Sequence, residues 1–255
     1  MKLRDVIDRK VAAWAIYDWA NSSFALSIMA VLYPLFLGSY WSAGASGAAV
    51  TARLAWVTAA ANFVVAVAAP VLGTIADAGG YRKRFLVIFA VIGAAMTASL
   101  GFVPEGNWPW ALGLYVLASA GFYSSTVFYD SLLVDVTRPR YFDFVSALGF
   151  SMGYLGGGLL FLINVLMTLM PQRFGLPDAA AAVRVSFLSV AFWWGLFTLF
   201  TIAWVPEDKS PAKVKKGESI IAAGIKQLVN TFKKVRHLKT VFLFLLAYWF
   251  YIDGV

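Results

Sequence analysis

The sequence predicts an all-α membrane protein that crosses the bilayer several times, and two observations carry that prediction. The 255 residues are 61% hydrophobic and only 13% charged, whereas a soluble domain is about half apolar and a quarter charged. The apolar residues also form long continuous runs, close to the roughly 20 residues that a membrane-spanning helix needs. An open sheet would leave its edge amides unpaired in lipid, and a barrel would show short alternating segments instead.

The apolar runs predict the start of seven helices. The first run is too long for a cleaved signal segment, whose apolar part has roughly 7–15 residues. The last run, "TVFLFLLAYWFYIDGV", is shorter than a full span, so we expect it to open a second half that this sequence does not contain. In chain order the predicted helices cover 11–37, 53–76, 85–103, 110–134, 143–170, 183–205 and 240 to the end.

These runs and the gaps between them predict three regions. Residues 1–205 form a six-helix transmembrane bundle, 206–238 form a basic loop, and 239–255 form the truncated first helix of a C-terminal bundle. Of the 21 lysines and arginines, 18 fall at the N-terminus and in the second, fourth and sixth gaps, while Arg53, Arg173 and Arg184 lie opposite. Basic loops face the cytoplasm, so the N-terminus and the 206–238 loop are expected there, in a bacterial inner membrane.

The basic loop contains a predicted amphipathic helix. Its apolar residues recur at spacings of four and three, with most lysines and arginines off that stripe. Such a helix is expected to lie on the inner membrane surface near anionic lipid, and binding of a calmodulin-like partner is the alternative. The stripe consists of Ile221, Ile225, Leu228, Phe232 and Val235.

A polar stripe interrupts the first helix. Asp18 is followed at i+3 and i+4 by Asn21 and Ser22, so the three side chains share one helix face. Acids inside a membrane helix are costly and are candidates for solute or ion pathways. Asp18 is therefore expected to face a hydrated cavity, and a hydrogen-bonded packing or gating role is the alternative.

The fourth and fifth helices carry further signals. Tyr123, Thr126 and Asp130 can share a face of the fourth helix, although Asp130 would also suit a solvated helix end.

Gly149, Gly153 and Gly157 form a small-residue stripe that lets two helices cross closely, either as a sliding surface or as static packing. The single amides Asn62 and Asn164 are expected to bond between helices.

The stretch "GTIADAGGYRKR" lies in the second gap, between two apolar runs. Gly73 would let the second helix approach a neighbour, and Gly80 would permit a tight turn. A plain basic turn on the cytoplasmic side is the alternative interpretation. The charged and glycine positions of this stretch are Gly73, Asp77, Gly80, Arg82, Lys83 and Arg84.

Six helices, a long basic loop and a new helix resemble the layout of a major facilitator superfamily transporter. The pattern Gly-x-x-x-Asp-x-x-Gly followed by bases resembles that superfamily's motif between helices 2 and 3, with departures at Ala78 and Tyr81. The stretches "IYDWANSSFA", "FYDSLLVDV" and "VSALGFSMGYLGGG" are similar to the vacuole-effluxer-like branch, which includes fungal autophagy-related vacuolar amino-acid effluxers.

The resemblance implies roles for several residues. Asp77 would latch the loop against a helix of the second half and close the cytoplasmic side. Helices 1, 4 and 7 would line the central cavity, which adds Asp253 to the candidate pathway. The expected function is secondary active transport of a small polar solute by alternating access, with amino acids and proton coupling as candidates. A non-transporting membrane scaffold or sensor on the same fold is the alternative.

Other functional classes have little support in the sequence. There is no cysteine, and the one histidine, His237, lies in a charged stretch. No phosphate-binding loop, metal-ligand spacing or nucleophile–base pair is present, so we expect no enzyme, cofactor, metal site or nucleic-acid partner. The basic residues lie between apolar runs and form no single soluble face.

Overall fold

The computed structural model describes residues 6–207, 229–230, 233 and 238–253. These residues form helices and no strand, which confirms the all-α prediction. Six of the helices are long and apolar enough to cross a membrane, so the chain is an integral membrane protein. The helices are α1 (Arg9–Trp41), α2 (Gly47–Gly79), α3 (Arg82–Leu100), α4 (Trp108–Val136), α5 (Phe142–Leu169), α6 (Ala179–Trp204) and α7 (Lys239–Asp253).

Side-chain caps explain why some helices begin earlier than hydropathy alone predicts. Asp8 accepts hydrogen bonds from the backbone amides of Lys10 and Val11, so α1 starts at Arg9. Ser46 caps α2 in the same way, so α2 starts at Gly47, six residues before the predicted start at residue 53. Asp178 caps α6 likewise, so α6 starts at Ala179, four residues before the predicted start at residue 183. These short polar side chains satisfy amides that lack a partner within the helix.

The first helix departs from regular α geometry in its second half. Phe24–Leu32 and Leu37–Trp41 are π-helical, with Tyr33–Phe36 as a single α turn between them. A bond from the Ser42 amide to the Leu37 carbonyl at 2.9 Å shows the wider i→i+5 pattern. Such segments occur often at functional sites, and the first one begins directly after Ser22 and Ser23.

The bundle is built around α1, which packs against α5 and α6, while α3 packs against α4 and α6 and α2 packs against α4. Tyr17, Phe24 and Trp194 are fully buried at the α1–α6 contact. The Trp194 indole N–H donates to the Tyr17 hydroxyl at 3.4 Å. Aromatic rings therefore fill much of the space where these two helices meet.

Asn164 is a buried polar link between three helices. Its Nδ2 donates to Ser27 Oγ on α1 at 3.4 Å, and its Oδ1 accepts from Ser189 Oγ on α6 at 2.9 Å. The prediction of an interhelical amide is therefore confirmed for Asn164. Asn62 differs, because it is exposed on α2 and makes no such bond in the described structure.

The basic loop is where sequence and structure cannot be compared. Val229, Asn230 and Lys233 are helical and exposed. The apolar stripe predicted at Ile221, Ile225, Leu228, Phe232 and Val235 lies outside the described residues. The amphipathic helix on the membrane surface stays a prediction.

Candidate functional site

A cavity of about 300 Å³ lies between α1, α4 and α5. The polar stripe of α1 lines it, with contributions from one face of α4 and one face of α5. Asp18 is the ionisable acid among the described lining residues, and no lysine or arginine lines the cavity with it. The lining residues are Asp18, Asn21, Ser22, Ala25, Leu26, Phe122, Thr126, Phe150, Gly153 and Tyr154.

Two hydrogen bonds organise the polar side of this cavity. Ser22 Oγ donates to Asp18 Oδ1 at 3.1 Å, one turn along α1. Asn21 Nδ2 donates to Thr126 Oγ1 at 3.3 Å and so joins α1 to α4. The Thr126 hydroxyl in turn donates to the Phe122 carbonyl at 2.9 Å. Each polar group is thereby held at a fixed position on the cavity wall.

These bonds use donors and leave acceptors free. The hydroxyls of Ser22 and Thr126 both donate their hydrogen bonds to acceptors within the protein. Asn21 is only 2% exposed, yet its Oδ1 has no hydrogen-bond partner in the described structure. A buried acceptor without a partner is costly, and beside it stands a carboxylate with further lone pairs. The Asp18 carboxylate therefore makes the wall suited to a ligand that brings N–H or O–H donors.

Helix α5 approaches the cavity through its glycine stripe. A β-carbon on Gly153 would lie 2.6 Å from Ser22 Oγ and 3.0 Å from the Asp18 carboxyl carbon. A β-carbon on Gly157 would lie 2.9 Å from the Ser22 backbone, and Gly149 lies against the Trp14 ring and the Tyr129 hydroxyl. The stripe thus brings the backbone of α5 directly onto the polar face of α1.

Sequence reasoning missed three aromatic residues of the cavity. Phe122 of α4 and Phe150 and Tyr154 of α5 line it, and Tyr154 is 73% exposed. Phe150 and Tyr154 stand three residues before and one residue after Gly153 in the sequence. The i+3 and i+4 spacing from Phe150 was the available signal, because it puts all three residues on one helix face.

Not every predicted pathway residue lines the cavity. Of the three candidates on α4, the structure brings Thr126 to the cavity, whereas Tyr123 and Asp130 do not line it. Asp130 is exposed on the α4 surface. The backbone of Asp253 ends α7, and its side chain lies outside the described part of the chain.

The basic residues after α2 contact the C-terminal ends of two other helices, α4 and α6. Arg82 Nη1 lies 3.4 Å from Asp135 Oδ2 and 3.5 Å from the Ser131 carbonyl oxygen, both on α4. Lys83 Nζ donates to the carbonyl of Val205 at 2.8 Å, at the end of α6. Arg84 binds Glu207, with Nε 3.4 Å from Oε2.

The glycines of this stretch differ in their surroundings. Gly80 ends α2 with φ 65° and ψ 38°, a left-handed conformation that glycine adopts without strain. Gly73 has no atom within 4 Å of an added β-carbon, so the close helix approach expected there is not made by any described residue. The Asp77 side chain lies outside the described part of the chain.

The bundle and its cavity define a class, that of α-helical integral membrane proteins whose helices line a cavity with one polar wall. Comparison with known sequences narrows that class. The sequence model of the family described as "Vacuole effluxer Atg22 like" matches residues 8–255. The chain belongs to this family, which confirms the resemblance seen in the sequence.

Individual relatives agree with the family match. The chain is 40% identical over 245 residues to the "Uncharacterized MFS-type transporter YxiO" of Bacillus subtilis, covering 95% of this chain and 56% of the relative. It is 26% identical to "Autophagy-related protein 22" of Yarrowia lipolytica, covering 71% of this chain and 42% of the relative. The chain spans about half the length of the curated relatives it matches. No solved structure matches it.

Proposed function

We propose that the full-length protein is a secondary active transporter of a small polar solute, and that the cavity between α1, α4 and α5 is part of its solute site. The observation that carries this proposal is the Asp18 carboxylate on a cavity wall that no described lysine or arginine shares. Names of relatives support the transporter class, since one is an MFS-type transporter and another an autophagy-related protein 22.

The chemistry of the wall favours a solute with a protonated amine. Asp18 supplies negative charge, and no basic residue among the described lining residues would attract an anion. The rings of Phe122 and Phe150 could contact the apolar part of the solute or the face of an ammonium group. Tyr154 adds a hydroxyl that can donate to a carboxylate. Amino acids and simple amines both fit this description.

Alternating access completes the proposed mechanism. Residues 1–205 would act as one six-helix bundle that rocks against a second bundle, with 206–238 as the cytoplasmic connection and 239–255 as the start of the second bundle. Asp77 and the bases that follow it would form the cytoplasmic gate, and the glycine stripe of α5 would be a surface along which helices adjust. Protons are a candidate coupling ion because Asp18 could carry one.

A solute panel tests the proposal. The full-length protein is reconstituted in liposomes, and exchange is measured for simple amines, zwitterionic amino acids, neutral polyols and carboxylate anions. Amines or amino acids should exchange, and Asp18→Asn should reduce that exchange at least tenfold. Asp143→Asn serves as the control, because Asp143 is exposed in the first turn of α5, away from the cavity. Exchange of carboxylate anions alone, or of no solute in the panel, would contradict the proposal.

A further inference from the structure

A second, strongly polar cavity lies at the opposite end of α1 from its π-helical segments. It has a volume of about 570 Å³ and is formed by the start of α1 and the connection between α4 and α5. Charged side chains dominate its lining, unlike that of the cavity around Asp18. The lining residues are Val6, Asp8, Lys10, Asp135, Val136, Thr137, Arg138, Arg140 and Tyr141.

The two acids of this cavity are already engaged. Asp8 Oδ1 accepts from the backbone amides of Lys10 and Val11 at 2.9 and 3.0 Å. Its charge is thus turned toward the positive end of α1. Asp135 Oδ2 lies 3.4 Å from Arg82 Nη1, and its side chain is only 13% exposed. Both carboxylates thus have other partners, and neither forms an ion pair with Lys10, Arg138 or Arg140 in the described structure.

The three basic residues remain without an acidic partner in the described structure. Lys10, Arg138 and Arg140 are exposed, and no ion pair joins any of them to a described acid. The Arg140 guanidinium lies 4.5 Å above the Tyr141 ring, which restrains its orientation. The hydroxyls of Thr137 and Tyr141 add neutral donors to the same lining.

We propose that this cavity binds a phosphate group, through Lys10 on one side and Arg138 and Arg140 on the other. Planar guanidinium groups match phosphate oxygens in pairs, and lysine adds a point charge. Basic pockets between membrane helices on the cytoplasmic side are suited to anionic headgroups, and the basic asymmetry predicts that side for these residues. The phosphate belongs either to an anionic lipid or to a soluble phosphate.

Binding there would join two separate parts of the bundle. Lys10 belongs to the start of α1, whereas Arg138 and Arg140 belong to the connection between α4 and α5. A phosphate held between them would draw these elements together and raise the stability of the bundle. This site is distinct from the surface helix predicted within the 206–238 loop and does not depend on the solute that the first cavity binds.

Two binding measurements on the full-length protein distinguish the sources of phosphate. In the first, native mass spectrometry counts phosphatidylglycerol and phosphatidylcholine retained by protein released from mixed-lipid nanodiscs. In the second, inorganic phosphate is titrated into the protein in a neutral detergent, and thermal unfolding is followed. Retention of phosphatidylglycerol identifies a lipid ligand, and a saturable rise in melting temperature with phosphate alone identifies a soluble one.

Charge variants test the site itself. Lys10→Gln and Arg138→Gln should each weaken binding about fivefold, and Lys10→Arg should retain it. Arg9→Gln is the matched control, since Arg9 is exposed beside Lys10 but does not line the cavity. Absence of binding in both measurements would overturn the proposal. So would equal losses in Arg9→Gln and Lys10→Gln, because general surface charge would then account for the binding.

Discussion

The backbone of Gly153 on α5 lies against Ser22 on α1 so closely that a β-carbon at position 153 would stand 2.6 Å from the Ser22 hydroxyl oxygen. That hydroxyl is the donor to Asp18. The helix crossing and the polar wall of the cavity therefore depend on the same pair of residues. Any side chain at position 153 must displace either α5 or the Ser22–Asp18 bond.

Gly153→Ala is expected to destabilise the protein by about 1–3 kcal/mol, the usual cost of overpacking, and to reduce transport. Gly158→Ala is the matched control on the same helix. A β-carbon there meets nothing within 4 Å, so alanine should be neutral or stabilise by up to ~1 kcal/mol through helix propensity. Thermal unfolding of the two variants in detergent measures the contrast. Equal stability of the two would mean that α5 can move away from α1 without cost.

The bond between Asn21 and Thr126 should appear as a coupling energy. Asn21→Ala, Thr126→Val and the double variant form a thermodynamic cycle, and interhelical bonds in membranes couple by about 0.6 kcal/mol, at most ~1.7. Asn21→Ala with Thr74→Val should be additive, since the Thr74 hydroxyl bonds only to carbonyls of its own helix, at Pro70 and Val71. Zero coupling in the first cycle would show that the 3.3 Å contact contributes nothing to stability.

Much of the cavity wall and of the α1–α5 crossing could be predicted from the sequence, because both follow from regular residue spacings. A polar stripe at i, i+3 and i+4 identified Asp18, Asn21 and Ser22 because helical periodicity fixes which residues share a face. Glycines four apart identified the stripe on α5 in the same way. What the sequence could not supply was the partner across each contact, such as Thr126 for Asn21, because that depends on how two helices are rotated against each other.

Other features were not identified from the sequence. The π-helical segments of α1 lie in an apolar run whose residues would equally suit an α-helix, so periodicity could not reveal them. Tyr154 is one of several aromatic residues on α5, and its i+4 spacing from Phe150 was the signal that relates it to the cavity. Caps such as Ser46 extend helices into polar stretches, where hydropathy gives no sign of a span.

The bases after α2 should differ in their contributions to stability. Lys83 is half-buried and donates to the last carbonyls of α6 through Val205, so Lys83→Met should cost about 1–2 kcal/mol. The Arg84 side chain is 65% exposed in its pair with Glu207, and Arg84→Ala should cost less than ~0.5 kcal/mol, with the effect falling as salt increases. Thermal unfolding at low and high salt distinguishes the loss of stability in Lys83→Met from that in Arg84→Ala. A larger loss for Arg84→Ala would reverse this ranking.

Cysteine labelling tests the predicted orientation, and the absence of native cysteines removes background. Ala43→Cys is suitable for the outer side, since Ala43 is exposed and, unlike Ser46, caps no helix. Asp143→Cys, exposed at the start of α5, reports the side of the basic connection. An impermeant reagent should label residue 43 in intact cells and residue 143 only after the membrane is broken. The reverse pattern would invert the topology.

The last prediction separates the structural and transport roles of Asp18. Asp18→Asn keeps an oxygen that can accept from Ser22 Oγ, so its stability should stay within about 0.5 kcal/mol of the parent. Asp18→Leu removes that acceptor and leaves the Ser22 hydroxyl without its partner, which should cost about 1–3 kcal/mol. Both variants remove the negative charge, and both should lose exchange of protonated amines in liposomes. If Asp18→Asn retains parental exchange of amines while Asp18→Leu loses it together with stability, Asp18 holds the cavity wall in shape and does not bind the solute through its charge.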